Sequence, residues 1–213
     1  RQFQEGGTSY LVDVIAPIIN AQNYHQVTVI DVHSDVAAAC INNLKMFDNT
    51  TIVSSALQTI YNGKPKDDQL VLISPDAGAL KKIYNVAEKL KFKGEIVTAL
   101  KHRDIKTGKI LSTHVPLNMA HYKKDFMIID DICDGGRTFI EIVKEIRRTL
   151  LGNNCGKIYL VTTHGIYSNG LYELSQYFDG IFSSNSVKQI DDIEEYSDYT
   201  ISKNYLFKQF NVI

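Results

Sequence analysis

The stretch FMIIDDICDGGRTF at 126–139 combines side chains that suit a phosphorylated sugar. A hydrophobic run ends in two acids, Asp130 and Asp131, and leads to Asp134, two glycines and Thr138. Adjacent glycines let the backbone approach a phosphate, and a following helix offers N–H groups and a positive dipole end, which Thr138 is expected to cap. The acids repel phosphate but suit hydroxyl groups or Mg²⁺. The combination predicts a site for a pentose 5-phosphate.

Four further hydrophobic runs also lead directly into polar side chains. VTVID leads into VHSD, LVLIS into PDAG, EIVTAL into KHRD, and KIYLVT into THG. In a parallel α/β sheet the carboxyl ends of the strands share one edge, where ligands bind. We therefore expect these side chains to form one site. The alternative is a set of ordinary polar loops, for which Gly, Asn and Ser would be more typical than repeated Asp and His.

The elements that must position these residues alternate along the chain. Helical patterns occur at 9–22, 79–91, 138–151 and 168–177, between the hydrophobic runs. Short apolar runs that alternate with amphipathic helices predict an α/β fold with a mostly parallel sheet. The pattern at 138–151 is the clearest, because three apolar residues recur at a spacing of four and build one apolar face. These residues are Ile142, Ile146 and Leu150.

Composition excludes several classes of protein. Of the 213 residues, 44% are hydrophobic and 22% are charged, which is typical of globular proteins and not of disordered chains. The formal net charge of -1 gives no support for a nucleic-acid surface, and no apolar run is long enough to cross a bilayer. The three cysteines match no zinc spacing and indicate a reducing compartment. We expect a cytoplasmic protein with neither nucleic acid nor membrane as a partner.

The stretch at 126–139 resembles the phosphoribosyl-diphosphate binding motif of type I phosphoribosyltransferases and of ribose-phosphate diphosphokinases. In that motif a hydrophobic strand leads into paired acids and an Asp-Thr-Gly-Gly-Thr-like loop. Here Gly135 stands where the first Thr is usual, and Arg137 where the second Gly is usual. The resemblance implies that Asp130 and Asp131 hold the ribose diol. The implied ligands of the 5-phosphate are Asp134, Gly135, Gly136, Arg137 and Thr138.

Three further segments favour the diphosphokinase over a transferase. The segment DVHSD at 31–35 resembles the Asp-Leu-His-Ser-like strand end of that family, which implies that His33 binds the ATP phosphates and the metal. The segment SPDAGA at 74–79 resembles its Ser-Pro-Asp-Xaa-Gly-Gly motif, which implies that Asp76 binds the metal.

The segment KHR at 101–103 resembles the flexible catalytic loop of the same family. The resemblance implies that Lys101 and Arg103 are catalytic and flank the transferred diphosphoryl group. Cations suit this role, because the transition state spreads negative charge over the transferring group. At alternate positions of an extended segment, the two side chains are expected to share one face. A solvated charged turn is the plainer interpretation of these three residues alone.

The resemblance extends from Glu5 to about Val187 in the order of the family, and is closest to shorter, phage-like or bacterial forms. It implies tandem type I phosphoribosyltransferase-like α/β domains with mostly parallel sheets. Residues 1–48 would end a truncated first domain, 49–200 would form the second, and 201–213 would pack back on the core. Arg1 aligns with the last Arg of the family's Arg-Gln-Asp-Arg-like motif and is assigned to ATP, so an N-terminal part is expected to be missing.

The implied reaction transfers the diphosphoryl group of Mg-ATP to the C1 hydroxyl of ribose 5-phosphate. Its products are 5-phosphoribosyl 1-diphosphate and AMP, its implied cofactor is Mg²⁺, and the implied assembly is a homo-oligomer, either a dimer or a hexamer. Two alternatives stay open. One is a phosphoribosyltransferase that uses the diphosphate as donor. The other is a non-catalytic regulatory homologue, against which the retention of the cations and acids argues.

Overall fold

Two structural units divide the chain, Arg1–Asn49 and Thr50–Ile213. The computed structural model describes residues 9–66, 68–103, 110–151, 154–189 and 206–210. The assignment of Arg1 to ATP therefore lies outside the described residues. Within the described part of the chain, no helix combines the length and the apolar character needed to span a bilayer.

The first unit contains a small parallel sheet with helices beside it. Its elements are a π-helical segment Tyr10–Ile15, α1 Ala16–Ala21, β1 Val27–Ile30, α2 Val36–Cys40 and β2 Leu44–Phe47. Strands β1 and β2 pair in parallel, and Ala16, Ala37 and Ile41 form the buried centre. The helical pattern at 9–22 is thus confirmed, although its first part is π-helical. His33 lies in the exposed connection between β1 and α2.

The second unit carries most of the secondary structure. Its elements are α3 Thr50–Tyr61, β3 Leu70–Ser74, α4 Ala77–Leu90, β4 Glu95–Thr98, β5 Leu100–Arg103, β6 Ile110–His114, a 3₁₀ turn Met119–His121, β7 Asp125–Cys133, α5 Arg137–Thr149, β8 Ile158–Gly165, α6 Tyr172–Ser175, β9 Gly180–Ser184 and β10 Leu206–Phe210. Six of these strands form a parallel sheet in the order β10-β9-β8-β7-β3-β4, and β5 and β6 form an antiparallel hairpin. The predicted α/β fold with mostly parallel sheets is confirmed. Of the closing segment 201–213, residues 206–210 form an edge strand of this sheet.

Hydrophobic layers cover both faces of the sheet, because the central strands direct apolar side chains to each side in turn. Met127 and Ile129 pack with α3 and α4 on one face, and Phe126 and Ile128 pack with α5 on the other. The three residues predicted to form the apolar face of α5 are completely buried, which confirms that prediction. They are Ile142, Ile146 and Leu150.

The prediction of a helix at 168–177 is wrong for its first part. The Gly170 amide donates a hydrogen bond to the Tyr167 carbonyl oxygen at 2.9 Å, and both residues have positive φ. This closes a turn with Ser168 and Asn169 at its centre, and only α6 follows as helix. Asn followed by Gly favours such a turn over a helix.

The order of the strands places a crevice between β3 and β7. The chain runs from β3 to β4 on one side of β3, and later enters β7 on its other side. Helices α4 and α5 follow these two strands and cover opposite faces of the sheet. Such a switch point, outside the carboxyl ends of the strands, is where open α/β sheets bind ligands.

Candidate functional site

Three of the predicted site residues gather at this crevice. Asp130 and Asp131 lie near the end of β7, and Asp76 directly precedes α4 after β3. Strands β3 and β7 are hydrogen-bonded neighbours. The charges of Asp131 and Asp76 both raise the pKa of Asp130, so the three carboxyl groups lie within electrostatic range of one another.

Asp130 has a raised pKa. Burial and the charge of Asp131 raise the pKa of Asp130 to about 7. The Asp131 amide donates to Asp130 Oδ1 at 2.9 Å and acts in the opposite direction. Asp130 is therefore partly protonated at neutral pH and can both donate and accept hydrogen bonds. That capacity suits a vicinal diol, whose hydroxyl groups also do both.

Lys82 on α4 forms an ion pair with Asp131. Its Nζ lies 3.1 Å from Asp131 Oδ2, and the two side chains are 28% and 7% exposed. A nearly buried carboxylate needs such a partner, because its desolvation is costly. Sequence prediction missed Lys82, since the two residues are 49 positions apart. The only signal for it was its place in the helix that the Asp76 motif begins.

Asp76 contacts both the first turn of α4 and the side chain of Lys101. Its Oδ1 accepts hydrogen bonds from the amides of Gly78 at 3.0 Å and Ala79 at 3.2 Å, and so caps α4. Its Oδ2 lies 3.1 Å from Nζ of Lys101, whose side chain is 10% exposed. Burial acts to raise the pKa of Asp76, but Lys101 and the two amides outweigh it and hold that pKa below its usual value.

Lys101 belongs to the hairpin of β5 and β6. The two strands are antiparallel, and Lys101 pairs with Thr113. The register shifts between His102 and Arg103. The extra residue lies in β6, because His102 and Arg103 of β5 pair with Ser112 and Ile110. The shared face expected of Lys101 and Arg103 stays a prediction. The Arg103 side chain and residues 104–109 lie outside the described part of the chain.

The conformation of the predicted phosphate loop depends on Gly136. This glycine has φ 76°, and an added Cβ would lie 2.7 Å from Leu174 Cδ2, so both the backbone and the packing require glycine. Gly136 is the N-cap of α5, which begins at Arg137 without a side-chain cap. The expectation that Thr138 caps the helix is therefore wrong.

The missing cap leaves backbone donors at the start of α5. The amides of Phe139 and Ile140 both donate to the Gly136 carbonyl oxygen. The amides of Arg137 and Thr138 precede these first helical hydrogen bonds and point out of the helix N-terminus. Asp134 and Gly135 connect β7 to this end of the helix, and Asp134 and Arg137 are exposed. The arrangement is able to bind an anion through backbone N–H groups.

No family model matches the chain. Among curated proteins, the chain is 23% identical over 198 residues to "Ribose-phosphate pyrophosphokinase" of Mycoplasmopsis pulmonis, covering 90% of this chain and 57% of that protein. It is 28% identical over 170 residues to "Ribose-phosphate pyrophosphokinase" of Thermococcus kodakarensis, covering 77% of this chain and 54% of that protein. The chain therefore spans little more than half the length of these relatives.

The fold is similar to the crystal structure of phosphoribosylpyrophosphate synthetase from Mycobacterium smegmatis. The TM-score is 0.73 at 16% sequence identity, and the match covers 98% of this chain and 62% of that one. This likeness is one of fold, and fold alone does not define an activity. It confirms the predicted α/β fold of the type I phosphoribosyltransferase kind.

Proposed function

We propose that this chain transfers the diphosphoryl group of Mg-ATP to the C1 hydroxyl of ribose 5-phosphate, giving 5-phosphoribosyl 1-diphosphate and AMP. One observation carries the proposal. Three features lie at the carboxyl ends of the neighbouring strands β3 and β7. They are the paired acids of β7, the glycine loop before α5 and the Asp76–Lys101 ion pair. Two relatives named as ribose-phosphate pyrophosphokinases support it. A cytoplasmic location and a homo-oligomeric assembly belong to the same proposal.

Ribose 5-phosphate would bind through the end of β7 and the start of α5. The amides at the helix N-terminus would receive the 5-phosphate, with Thr138 adding a hydroxyl group and Arg137 a cation. Asp130 and Asp131 would hold the ribose hydroxyl groups. The ion pair with Lys82 keeps Asp131 in place before the sugar arrives, which reduces the cost of ordering the site.

Lys101 and Arg103 would stabilise the group in transfer. The C1 oxygen would attack the β-phosphorus of ATP and release its hydroxyl proton to water, while the bond from that phosphorus to the α,β-bridging oxygen breaks and AMP leaves with the electron pair. Negative charge spreads over the transferring group, and nearby cations lower the energy of this state. An ammonium group has three N–H donors, so Lys101 can contact a phosphate oxygen while it keeps Asp76.

The donor groups fit a Mg²⁺ ion that arrives bound to phosphate oxygens. Mg²⁺ commonly takes only one or two carboxylates from a protein that binds a nucleotide, and Asp76 offers a carboxylate that is 48% exposed. No group of three His, Cys, Asp and Glu side chains suited to a metal occurs in the described ranges, so the phosphates would complete the site. When bound, the ion neutralises charge on the diphosphoryl oxygens. His33 in the first unit stays a predicted ligand on the strength of its motif.

The alternatives make different products, and one assay separates them. The chain is incubated with Mg-ATP and ribose 5-phosphate without any nucleobase. The proposal predicts that AMP and 5-phosphoribosyl 1-diphosphate form in equal amounts. A phosphoribosyltransferase would instead consume added 5-phosphoribosyl 1-diphosphate, and only when a base is present. A regulatory homologue would bind the ligands and turn over neither.

A further inference from the structure

Gly135 is a glycine that the backbone does not require. Its φ lies outside the left-handed region, unlike those of Gly136 and Gly170. What a side chain at position 135 would meet is the carboxamide of Asn169. An added Cβ would lie 3.1 Å from Asn169 Nδ2 and 3.9 Å from Ser168 Oγ. The amide of Asn169 therefore occupies space that a side chain at position 135 would use.

The backbone fastens Asn169 to the end of β7. The amides of Ile166 and Tyr167 both donate to the Cys133 carbonyl oxygen, at 2.8 Å and 3.2 Å. The turn that follows has Ser168 and Asn169 at its centre, and both side chains are exposed. The turn thus presents Asn169 beside the loop that leads to the N-terminus of α5, and leaves its amide open to a ligand.

We propose that Asn169 donates a hydrogen bond from Nδ2 to a phosphate monoester bound at the N-terminus of α5. In the loop motif that the sequence resembles, Thr is usual at position 135, and a Thr hydroxyl would be a hydrogen-bond donor one bond beyond Cβ. Gly135 has no such donor, and the amide of Asn169 lies beside the same space. Gly135 and Asn169 therefore act as a pair, in which one residue makes room and the other supplies the donor. This inference rests on the proposed function and names a further phosphate ligand for it.

A double-mutant cycle over the two positions tests this pairing. The variants are Asn169→Gly, Gly135→Thr and the two combined, and calorimetric titration measures binding of ribose 5-phosphate and of inorganic phosphate. Asn169→Gly is expected to weaken both ligands about tenfold, as loss of a hydrogen bond to a charged group does. Gly135→Thr alone crowds the Asn169 amide and also weakens binding. The combined variant is expected to regain most of the affinity, because the Thr hydroxyl then has room.

An isosteric variant separates the donor from the shape of the side chain. Asn169→Asp keeps the shape but replaces the amide donor with a carboxylate, so it is expected to weaken phosphate more than Asn169→Gly does. Asn85→Asp adds the same charge on the exposed part of α4 and serves as the matched control, with binding expected within about twofold of the wild type. Thermal unfolding checks that each variant is folded.

The outcomes separate this inference from the proposed function. If the wild type binds ribose 5-phosphate and Asn169→Gly binds it equally well, the role of Asn169 is overturned and the proposed function stands. A combined variant that binds no better than Gly135→Thr alone also overturns it. So does a loss confined to ribose 5-phosphate, since the contact would then be to the sugar. If the wild type binds neither ligand, the inference and the proposed function fall together.

Discussion

Asp130 and Asp131 are adjacent in the sequence but differ in their surroundings. Asp131 has Lys82 as its ion-pair partner, whereas burial and the charge of Asp131 raise the pKa of Asp130 to about 7. One acid is thereby held as part of an ion pair, and the other is partly protonated near neutral pH. Pairs of carboxyl groups with different surroundings are a common way to give two acids two roles.

The raised pKa of Asp130 predicts a pH dependence of stability in the ligand-free chain. The folded state keeps this proton to about pH 7, while an ordinary carboxyl group loses it near pH 3.8. The folded state therefore binds more protons in between, and the free energy of unfolding falls as the pH rises through this window. Asp130→Asn keeps an Oδ1 acceptor but does not titrate. The free energy of unfolding, measured with urea at about pH 5 and about pH 8, is expected to fall less between these two pH values in the variant than in the wild type. An unchanged difference would contradict the account.

Lys82→Met tests the ion pair with Asp131. The substitution removes an ion-pair partner of a nearly buried carboxylate and is expected to lower the free energy of unfolding by about 1–3 kcal/mol. Asp131→Asn in the same chain is expected to restore part of this loss, because the carboxylate charge that Lys82 paired with is then removed as well. Denaturant unfolding measures both variants, with Lys81→Met at the neighbouring exposed position as control. Strictly additive losses from the two substitutions would show that the pair does not stabilise the fold.

At the scale of an element, the loop between β7 and α5 depends on the conformation of Gly136. The residue combines φ 76° with close packing against Leu174, whereas Gly135 has neither a positive φ nor a buried neighbour on its side. The two adjacent glycines therefore differ in what they contribute. Gly136 shapes the start of the helix, and Gly135 leaves space above the loop.

Substitution by alanine distinguishes the two glycines. Gly136→Ala is expected to lower the free energy of unfolding by about 1–3 kcal/mol, from backbone strain and overlap with Leu174. Gly135→Ala is expected to change it by less than about 0.5 kcal/mol, because only the end of an exposed side chain must move. Adding Leu174→Ala to Gly136→Ala is expected to relieve the overlap but not the strain. Equal losses at the two positions would rule out the loop conformation described.

The hairpin of β5 and β6 carries the cations assigned to the transfer step. Replacing Lys101 and Arg103 together with alanine is expected to lower kcat about a hundredfold to a thousandfold, because charge stabilisation is lost in the transition state. The KM for ribose 5-phosphate is expected to change little, since that sugar is assigned to β7 and α5. Steady-state kinetics measures both, with Lys144→Ala on the exposed surface of α5 as control. Near-normal turnover in a folded variant would refute the role of the hairpin.

For the molecule as a whole, the α/β class is predictable because the central strands are continuous apolar runs. Leu70–Ser74 is fully buried and reads as a strand without any tertiary information. Helix α3 is not recognisable from the sequence in this way, since Thr50–Tyr61 mixes β-branched and hydroxyl residues of modest helix propensity. Its burial of Ile52 and Val53 against the sheet explains why it is helical all the same.

The candidate site likewise contains residues that the sequence predicts and residues that it does not. The acids and glycines of residues 126–139 are predictable, because their chemistry and their spacing lie within one short segment. Lys82 and Asn169 were not predictable, because each acts on a residue far away in the chain. The capping role given to Thr138 is wrong by two residues, since the N-cap of α5 is the left-handed Gly136. Local chemistry is readable from sequence, whereas pairing across elements is not.

The identity of the phosphorus-containing products tests the proposed diphosphoryl transfer most sharply. Phosphorus NMR follows a mixture of the chain, Mg-ATP and ribose 5-phosphate without a nucleobase. We expect ATP to be replaced by equal amounts of AMP and of a ribose 5-phosphate that carries a diphosphoryl ester at C1. Formation of ADP with a single phosphoryl group at C1, or unchanged substrates in the presence of folded protein, would contradict it.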